Sequence, residues 1–212
     1  MSDLSKDSAL KSTRVNTRKI AFTAIFTAMA VVLMYLEVSV PLMPPFLKFD
    51  FSELPVLIGS FALGPVYGII IELLKNLIHL PVTGTAGIGE MSNFITGSLY
   101  VCSAGLYYSR HRTKKGAVVS MLIATAVLGM IAIPFNYFIT LPLYGSVLNF
   151  STEAIVGMSA AVNPMITDKV SLVLWAFLPF NILKGLVIGF ITFWIYKPIS
   201  KLINTTYKKT RN

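Results

Sequence analysis

The sequence predicts an all-α integral membrane protein of six transmembrane helices with both termini cytoplasmic, and three observations predict it. Hydrophobic residues make up 55% of the chain, charged residues only 13%, and the mean hydropathy is +0.72, outside the range of a soluble globular domain. Several apolar runs approach the roughly 20 residues that a helix needs to cross about 30 Å of hydrocarbon, and none alternates like a barrel strand. The basic residues are gathered rather than scattered. Fourteen of the eighteen Lys and Arg fall in three clusters: from Lys6 to Lys19, from Arg110 to Lys115, and from Lys197 to Arg211. The positive-inside rule puts all three on the cytoplasmic face. The net charge of +9 is thereby explained as a topological signal, and no nucleic-acid partner is needed.

The elements follow in order. Residues 1–19 form a basic cytoplasmic tail, and span 1 runs from about 20 to 38. Ala28-Met29-Ala30 has the small residues of a signal-peptidase site, but the apolar run continues to Met34, which favours an uncleaved span. The segment SVPLMPPFLKFDFS lies outside. Pro41, Pro44 and Pro45 forbid a regular helix there, while Phe46, Phe49 and Phe51 give it apolar weight that folds it back over the bundle as a cap. The apolar stretch from Leu54 to Leu80 is too long for one crossing and is broken by ALGPVYG. It reads as a short span 2 (53–63), a tight internal turn and span 3 (65–80). GTAGIGE turns outside into span 4 (89–109), span 5 covers 117–140 and span 6 covers 170–196. TEAIVGMSAAV, between the last two, reads as a short helix over the outer face. Residues 20–197 thus form one six-helix membrane domain, and 198–212 a basic cytoplasmic tail.

Polar side chains converge at one depth. At about 1.5 Å per residue, Lys184 stands thirteen residues above Lys197, in the outer third of the bilayer, with Asn181 a turn further out. The same count from the other basic loop puts Asn93, Glu90 and Asn136 in that layer. Glu90 with Asn93, and Asn181 with Lys184, are spaced i,i+3 and share a helix face. An ammonium at mid-helix costs about 2.5 to 3.5 kcal/mol on insertion scales, so such faces look inward. One arrangement is a structural Glu90–Lys184 ion pair with asparagines as packing glue. The other is a ligand cavity, favoured by Pro179, which removes a ladder hydrogen bond and opens the helix just outside Asn181. Glu72 and Lys75 read as a mutually neutralising structural pair. His79 and Glu37 read as interfacial residues.

Other chemistry is poorly represented. GTAGIGE lacks the GK[ST] ending of a phosphate-binding loop, no HExxH occurs, and His79 and His111 fall on opposite sides of the membrane. Cys102 is the single cysteine; no metal site, cofactor or catalytic residue is assigned, and the chain is not read as an enzyme. All five arginines lie in the cytoplasmic clusters, which argues against a phosphorylated ligand outside. One cation, one carboxylate and several amides suit a flat, nearly neutral molecule with a hydrogen-bonding edge and hydroxyls. With no ATP-hydrolysing segment, active transport would need a partner. Ala24 and Ala28 form an AxxxA on span 1, along which another helix can approach closely.

KFDFSELPVLIGSFALGP, ELLKNLIHL, GIGEMSNF and NILKG together resemble the riboflavin-specific S component, the substrate-binding membrane subunit, of energy-coupling-factor (ECF) vitamin transporters, over residues 20 to 197. The resemblance implies six helices, an external vitamin site under the cap, and a multi-pass protein of the cell membrane. It implies assembly with a transmembrane scaffold subunit and two cytoplasmic ATPases, with Ala24 and Ala28 facing the scaffold. It assigns Glu90, Asn93, Asn181 and Lys184 to the vitamin, and Lys48, Phe49 and Asp50 to the cap. Asn136 is added on depth. Lys184 is expected to donate to a ring carbonyl, Asn181 to match the flavin's donor and acceptor edge, and Glu90 with Asn93 to take ribityl hydroxyls. The alternatives are an S component for another vitamin, or a membrane enzyme using Glu90 as base.

Overall fold

The computed structural model describes the backbone of residues 2–209 except 42 and 45, and the side chains of 17–198 with the same exceptions. Pro45, the side chains of the first basic cluster through Arg14 and those of the last from Lys201 lie outside the described residues. The backbone is helical almost throughout: α1 (Ser2–Met34), α2 (Glu53–Leu63), α3 (Pro65–His79), α4 (Ile88–Arg110), α5 (Lys114–Phe135), α6 (Leu141–Leu148), α7 (Thr152–Ala160), α8 (Lys169–Leu172) and α9 (Leu178–Lys209). Single wide π-turns, Asn136–Thr140 and Val173–Phe177, join α5 to α6 and α8 to α9.

Among the described residues, four helical stretches are long and apolar enough to cross a membrane: Thr17–Met34, Pro65–Val82, Lys114–Leu148 and Lys169–Pro198. The helix α4 has 23 residues but carries Glu90, Ser92 and Asn93 in its first turns and falls outside that set. The helix α2 is apolar but has only 11 residues, about 16 Å of rise, half of the hydrocarbon thickness. Gly64 at φ 110° ends it, a conformation that L side chains rarely adopt, and Pro65 starts α3 at the position where its missing N–H is not needed. The α1 helix stops at Met34, short of the expected end of span 1, and TEAIVGMSAAV supplies the short helix α7, capped by the Ser151 hydroxyl accepting from the Ala154 N–H at 3.1 Å.

The helix α3 shows the inverted amphipathicity of a lipid-embedded element. Ile71, Glu72, Lys75, Asn76 and His79 are buried on one face, while Val66, Leu73, Leu77 and Ile78 are exposed on the other. In water the apolar face would turn inward; against hydrocarbon the charges seek the interior, where partners exist. The same physics leaves Phe138, Phe190 and Trp194 about two-thirds or more exposed. Close approach needs small residues: a Cβ at Gly97 would collide with the Glu72 carboxylate, and one at Gly185 would meet Thr125 at 2.7 Å.

The basic loops gather at one end. Tyr108, two residues before Arg110, packs edge-on to Tyr196, the residue before Lys197, with 5.8 Å between ring centres, and the Lys19 ammonium lies 5.1 Å from the Tyr67 ring centre. At the other end a two-stranded antiparallel hairpin, β1 (Val38–Ser39) with β2 (Lys48–Phe49), pairs Val38 with Phe49 and Ser39 with Lys48. It folds over the bundle: Phe46 tilts against Tyr144 and Phe177 at 6.2 and 5.8 Å, and Phe49 meets Phe51 edge-on at 5.2 Å.

Candidate ligand cavity

A cavity of about 680 Å³ lies beneath the hairpin, bounded by the end of α1, the hairpin, α2, α3, α4, the two π-turns and α9. Its volume falls in the range of small-molecule sites, about 300 to 1,000 Å³. Glu90, Asn93, Asn136, Asn181, Lys184, Lys48 and Asp50 all line it. Phe49 is not among the lining residues; it is buried in the core and anchors the second strand. Ala24 and Ala28 are exposed on the outer face of α1, well away from the lining.

Asn136 and Asn181 are set by the π-turns. Pro134 stands just before the first, and Asn136, its opening residue, uses its amide N–H on the Ala132 carbonyl at 2.7 Å. Asn181 likewise donates to the carbonyl of Phe177, the last residue of the second π-turn, at 2.8 Å. A carbonyl can only accept, so each NH2 must face the helix, and the carbonyl oxygen and second N–H remain for a guest.

Lys184 enters between the cap and α4. Its ammonium donates to Asp50 Oδ2 at 3.2 Å and to Asn93 Oδ1 at 3.3 Å, and lies 3.7 Å from Glu53 Oε1. Burial alone would raise the Asp50 carboxyl; the ammoniums of Lys184 and Lys75 and the hydrogen bonds from Ser52 outweigh it and hold it at about 2. Behind this layer Lys75, fully buried, donates to Glu53 at 2.7 Å and to Ser52 at 2.8 Å, and pairs with Glu72 at 2.9 Å. The Glu72–Lys75 pair expected from the sequence therefore exists with a second carboxylate on the same ammonium.

One of the two arrangements weighed from the sequence is absent, and two expectations need correction. Glu90 and Lys184 do not form an ion pair: Asp50, brought in by the cap, takes the ammonium, while Glu90 Oε1 bonds His79 Nδ1 at 2.8 Å and Glu90 Oε2 accepts from Thr83 and Thr85 at 2.7 and 3.3 Å. His79 is no interfacial residue. It is 8% exposed, lines the cavity and tilts against Tyr35 at 5.2 Å. Glu37 also lines the cavity and pairs with Lys48, tying the two sides of the hairpin together. Sequence reasoning missed Glu53 entirely, although an acidic residue opening an apolar helix one turn after Asp50 was a readable signal. It also missed Thr83 and Thr85, which fasten the α3–α4 loop to Glu90.

Comparison with known proteins fits this geometry. The family model described as "ECF transporter, substrate-specific component" matches residues 18–196. The riboflavin transporter RibU of Staphylococcus aureus (strain TCH60) is 30% identical over 186 residues, 88% of this chain and 92% of that protein. The riboflavin transporter FmnP of Bacillus subtilis (strain 168) is 31% identical over 179 residues, 82% of this chain and 87% of that one. A solved structure titled "Structure and mechanism of the S component of a bacterial ECF transporter" superposes with a TM-score of 0.70 at 29% identity, covering 89% of this chain and 98% of that one. This chain belongs to the substrate-specific components of ECF transporters.

Proposed function

We infer that this protein captures riboflavin at the outer face of the cell membrane and delivers it inward as the substrate-binding subunit of an ATP-driven ECF transporter. The observation that carries the reading is the cavity itself: a void of about 680 Å³ into which Asn136, Asn181 and Lys184 present unspent amide groups and an ammonium. Lys184 donates to a carbonyl of the flavin's pyrimidine edge, Asn181 and Asn136 read the rest of that edge, and Glu90 with Asn93 accepts ribityl hydroxyls. Met34, Phe46, Leu128, Phe177 and Ile188 supply the apolar surface that a flat tricycle needs. No bond in the vitamin is made or broken. Its relatives' names as riboflavin transporters support the same cargo.

The chain crosses the bilayer six times, α2 and α3 forming a bent pair of spans, with both termini and all basic loops inside. The cap hairpin, held by Lys48–Glu37 and Asp50–Lys184, closes the outer mouth. Energy comes from two cytoplasmic ATPases through a transmembrane scaffold, which packs along Ala24 and Ala28.

Two measurements test this. Protein purified from cells grown with riboflavin is expected to carry the flavin absorption bands, or, once stripped, to quench riboflavin fluorescence with one-to-one stoichiometry. Colourless protein that quenches nothing would redirect the site to another vitamin. Separately, Ala24→Trp with Ala28→Trp is expected to leave quenching unchanged while abolishing co-purification with the scaffold and uptake. Parallel loss of binding would mean that this face packs within the chain.

A further inference from the structure

Three carboxylates and two ammoniums meet between the cavity and the core: Asp50 from the cap, Glu53 from α2, Glu72 and Lys75 from α3, and Lys184 from α9. Lys75 lies 2.7 Å from Glu53 Oε1 and 2.9 Å from Glu72 Oε1, while Lys184 lies 3.2 Å from Asp50 Oδ2 and 3.7 Å from Glu53 Oε1. With every group ionised, the cluster carries one surplus negative charge. Two of its oxygens also lack a donor. Oε2 of Glu53 and Oε2 of Glu72 are buried without a hydrogen-bond partner among the described residues, and the two residues are 3% and 0% exposed. A surplus charge beside undonated oxygens in so dry a place is strongly unfavourable, and a group so placed neutralises instead.

We propose that this cluster is a proton-binding site, in which one proton from the outer solution is held between Glu53 and Glu72 while the cap is shut over the vitamin and is given up when the cap opens. The proposal rests on the reading in which the hairpin opens to admit riboflavin. Opening withdraws Asp50 and leaves two carboxylates with two ammoniums, a balanced set that needs no proton. Closing returns the third carboxylate, and a neutral vitamin displaces solvent from the cavity that Glu53 and Lys184 line, so the surplus charge draws a proton in. Against the effect of burial, Lys184, Lys75 and Ser52 hold Asp50 at about 2, and the proton does not sit there. Glu53 pairs with both ammoniums, and Glu72 with Lys75 alone among the described residues, which makes Glu72 the proton's place. The neighbouring titratable groups are engaged elsewhere: Tyr100 of α4 donates to the Gly185 carbonyl at 3.0 Å, His79 one turn along α3 is bound to Glu90 of α4, and Lys48 of the cap is paired with Glu37. Residues 20–34 of α1 and 116–135 of α5 include no titratable side chain.

The test titrates the purified, ligand-stripped full chain with riboflavin in weakly buffered detergent solution containing a pH-indicator dye. About one proton is expected to leave solution for each vitamin bound, and Glu72→Gln, permanently neutral at that position, is expected to take up none. Because binding takes up a proton, affinity is full at low pH and falls as pH rises, by up to about tenfold per unit. Followed by fluorescence quenching between about pH 5 and about pH 9, above the ordinary carboxylate range and below that of lysine, the dissociation constant of the native chain is expected to rise at least about tenfold, and that of Glu72→Gln to stay within about threefold of its value at low pH. Asp50→Asn keeps Glu72 but removes the third carboxylate, so whatever vitamin it binds is expected to bring no proton, a result that tests the site even if Glu72→Gln fails to fold. Tight riboflavin binding by the native chain with no proton taken up overturns the site. So does a pH dependence that survives Glu72→Gln, which would belong to His79 and Glu90. Failure of riboflavin itself to bind would overturn the parent reading and the site together.

Discussion

Lys75→Met is expected to lower the thermal midpoint of the detergent-solubilised protein by about 10 °C, on the scaling of about 2 to 4 °C per kcal/mol for a chain of this size. Methionine fills similar space, so the loss is electrostatic rather than steric. The lysine is fully buried between Glu53 and Glu72, which it meets at 2.7 and 2.9 Å. Taking away one partner of a buried ionic cluster costs about 3 to 5 kcal/mol, because the charges left behind lose their closest counter-ion; only Lys184, 3.7 Å from Glu53 Oε1, would remain near them. Here two carboxylates would be left facing each other against Gly97, where there is no side chain to separate them. Adding Glu53→Gln and Glu72→Gln to Lys75→Met removes the orphaned charges, and most of the lost stability is expected to return, since a neutral replacement of a whole buried cluster is often tolerated. A single substitution with no effect on the midpoint would show that the cluster contributes nothing net.

The convergence of polar groups was legible from the sequence because it depends on rise per residue alone. Counting from basic loops put Glu90, Asn93, Asn136, Asn181 and Lys184 at one depth, and all five line one cavity. The glycine–proline break after Leu63 was equally readable, since only Gly tolerates the φ of 110° there. Partner choice was not legible. Which carboxylate reaches Lys184 depends on how the cap folds back, a long-range event without a local signature; the sequence offered Glu90, and the structure uses Asp50. His79 was misread for a related reason. Its position near the end of a span suggested headgroups, but the loop through Thr83 and Thr85 folds over it and seals it against Glu90. The π-turns were half visible: Pro179 announced an opened helix, whereas the wide turn at Asn136–Thr140 follows Pro134, which the depth count did not consider.

Lys184→Met is expected to weaken riboflavin binding about a hundredfold or more, the scale on which truncating one member of a buried, hydrogen-bonded charge pair acts, about 2 to 5 kcal/mol. Two causes would add. The flavin loses an ammonium donor, and Asp50, whose carboxyl stays ionised through proximity to that ammonium, loses its nearest counter-charge, loosening the cap. A second substitution separates them. Asp50→Asn in the Lys184→Met background removes the stranded carboxylate, so the thermal midpoint and the closure of the cap, followed by protease resistance of the hairpin, are expected to recover. Affinity is expected to stay low, because no amide at position 50 replaces a donor arriving from α9. If the double substitution restored tight binding instead, Lys184 would act on the vitamin only by holding the cap shut, and contact with the flavin would fall to Asn93, Asn136 and Asn181.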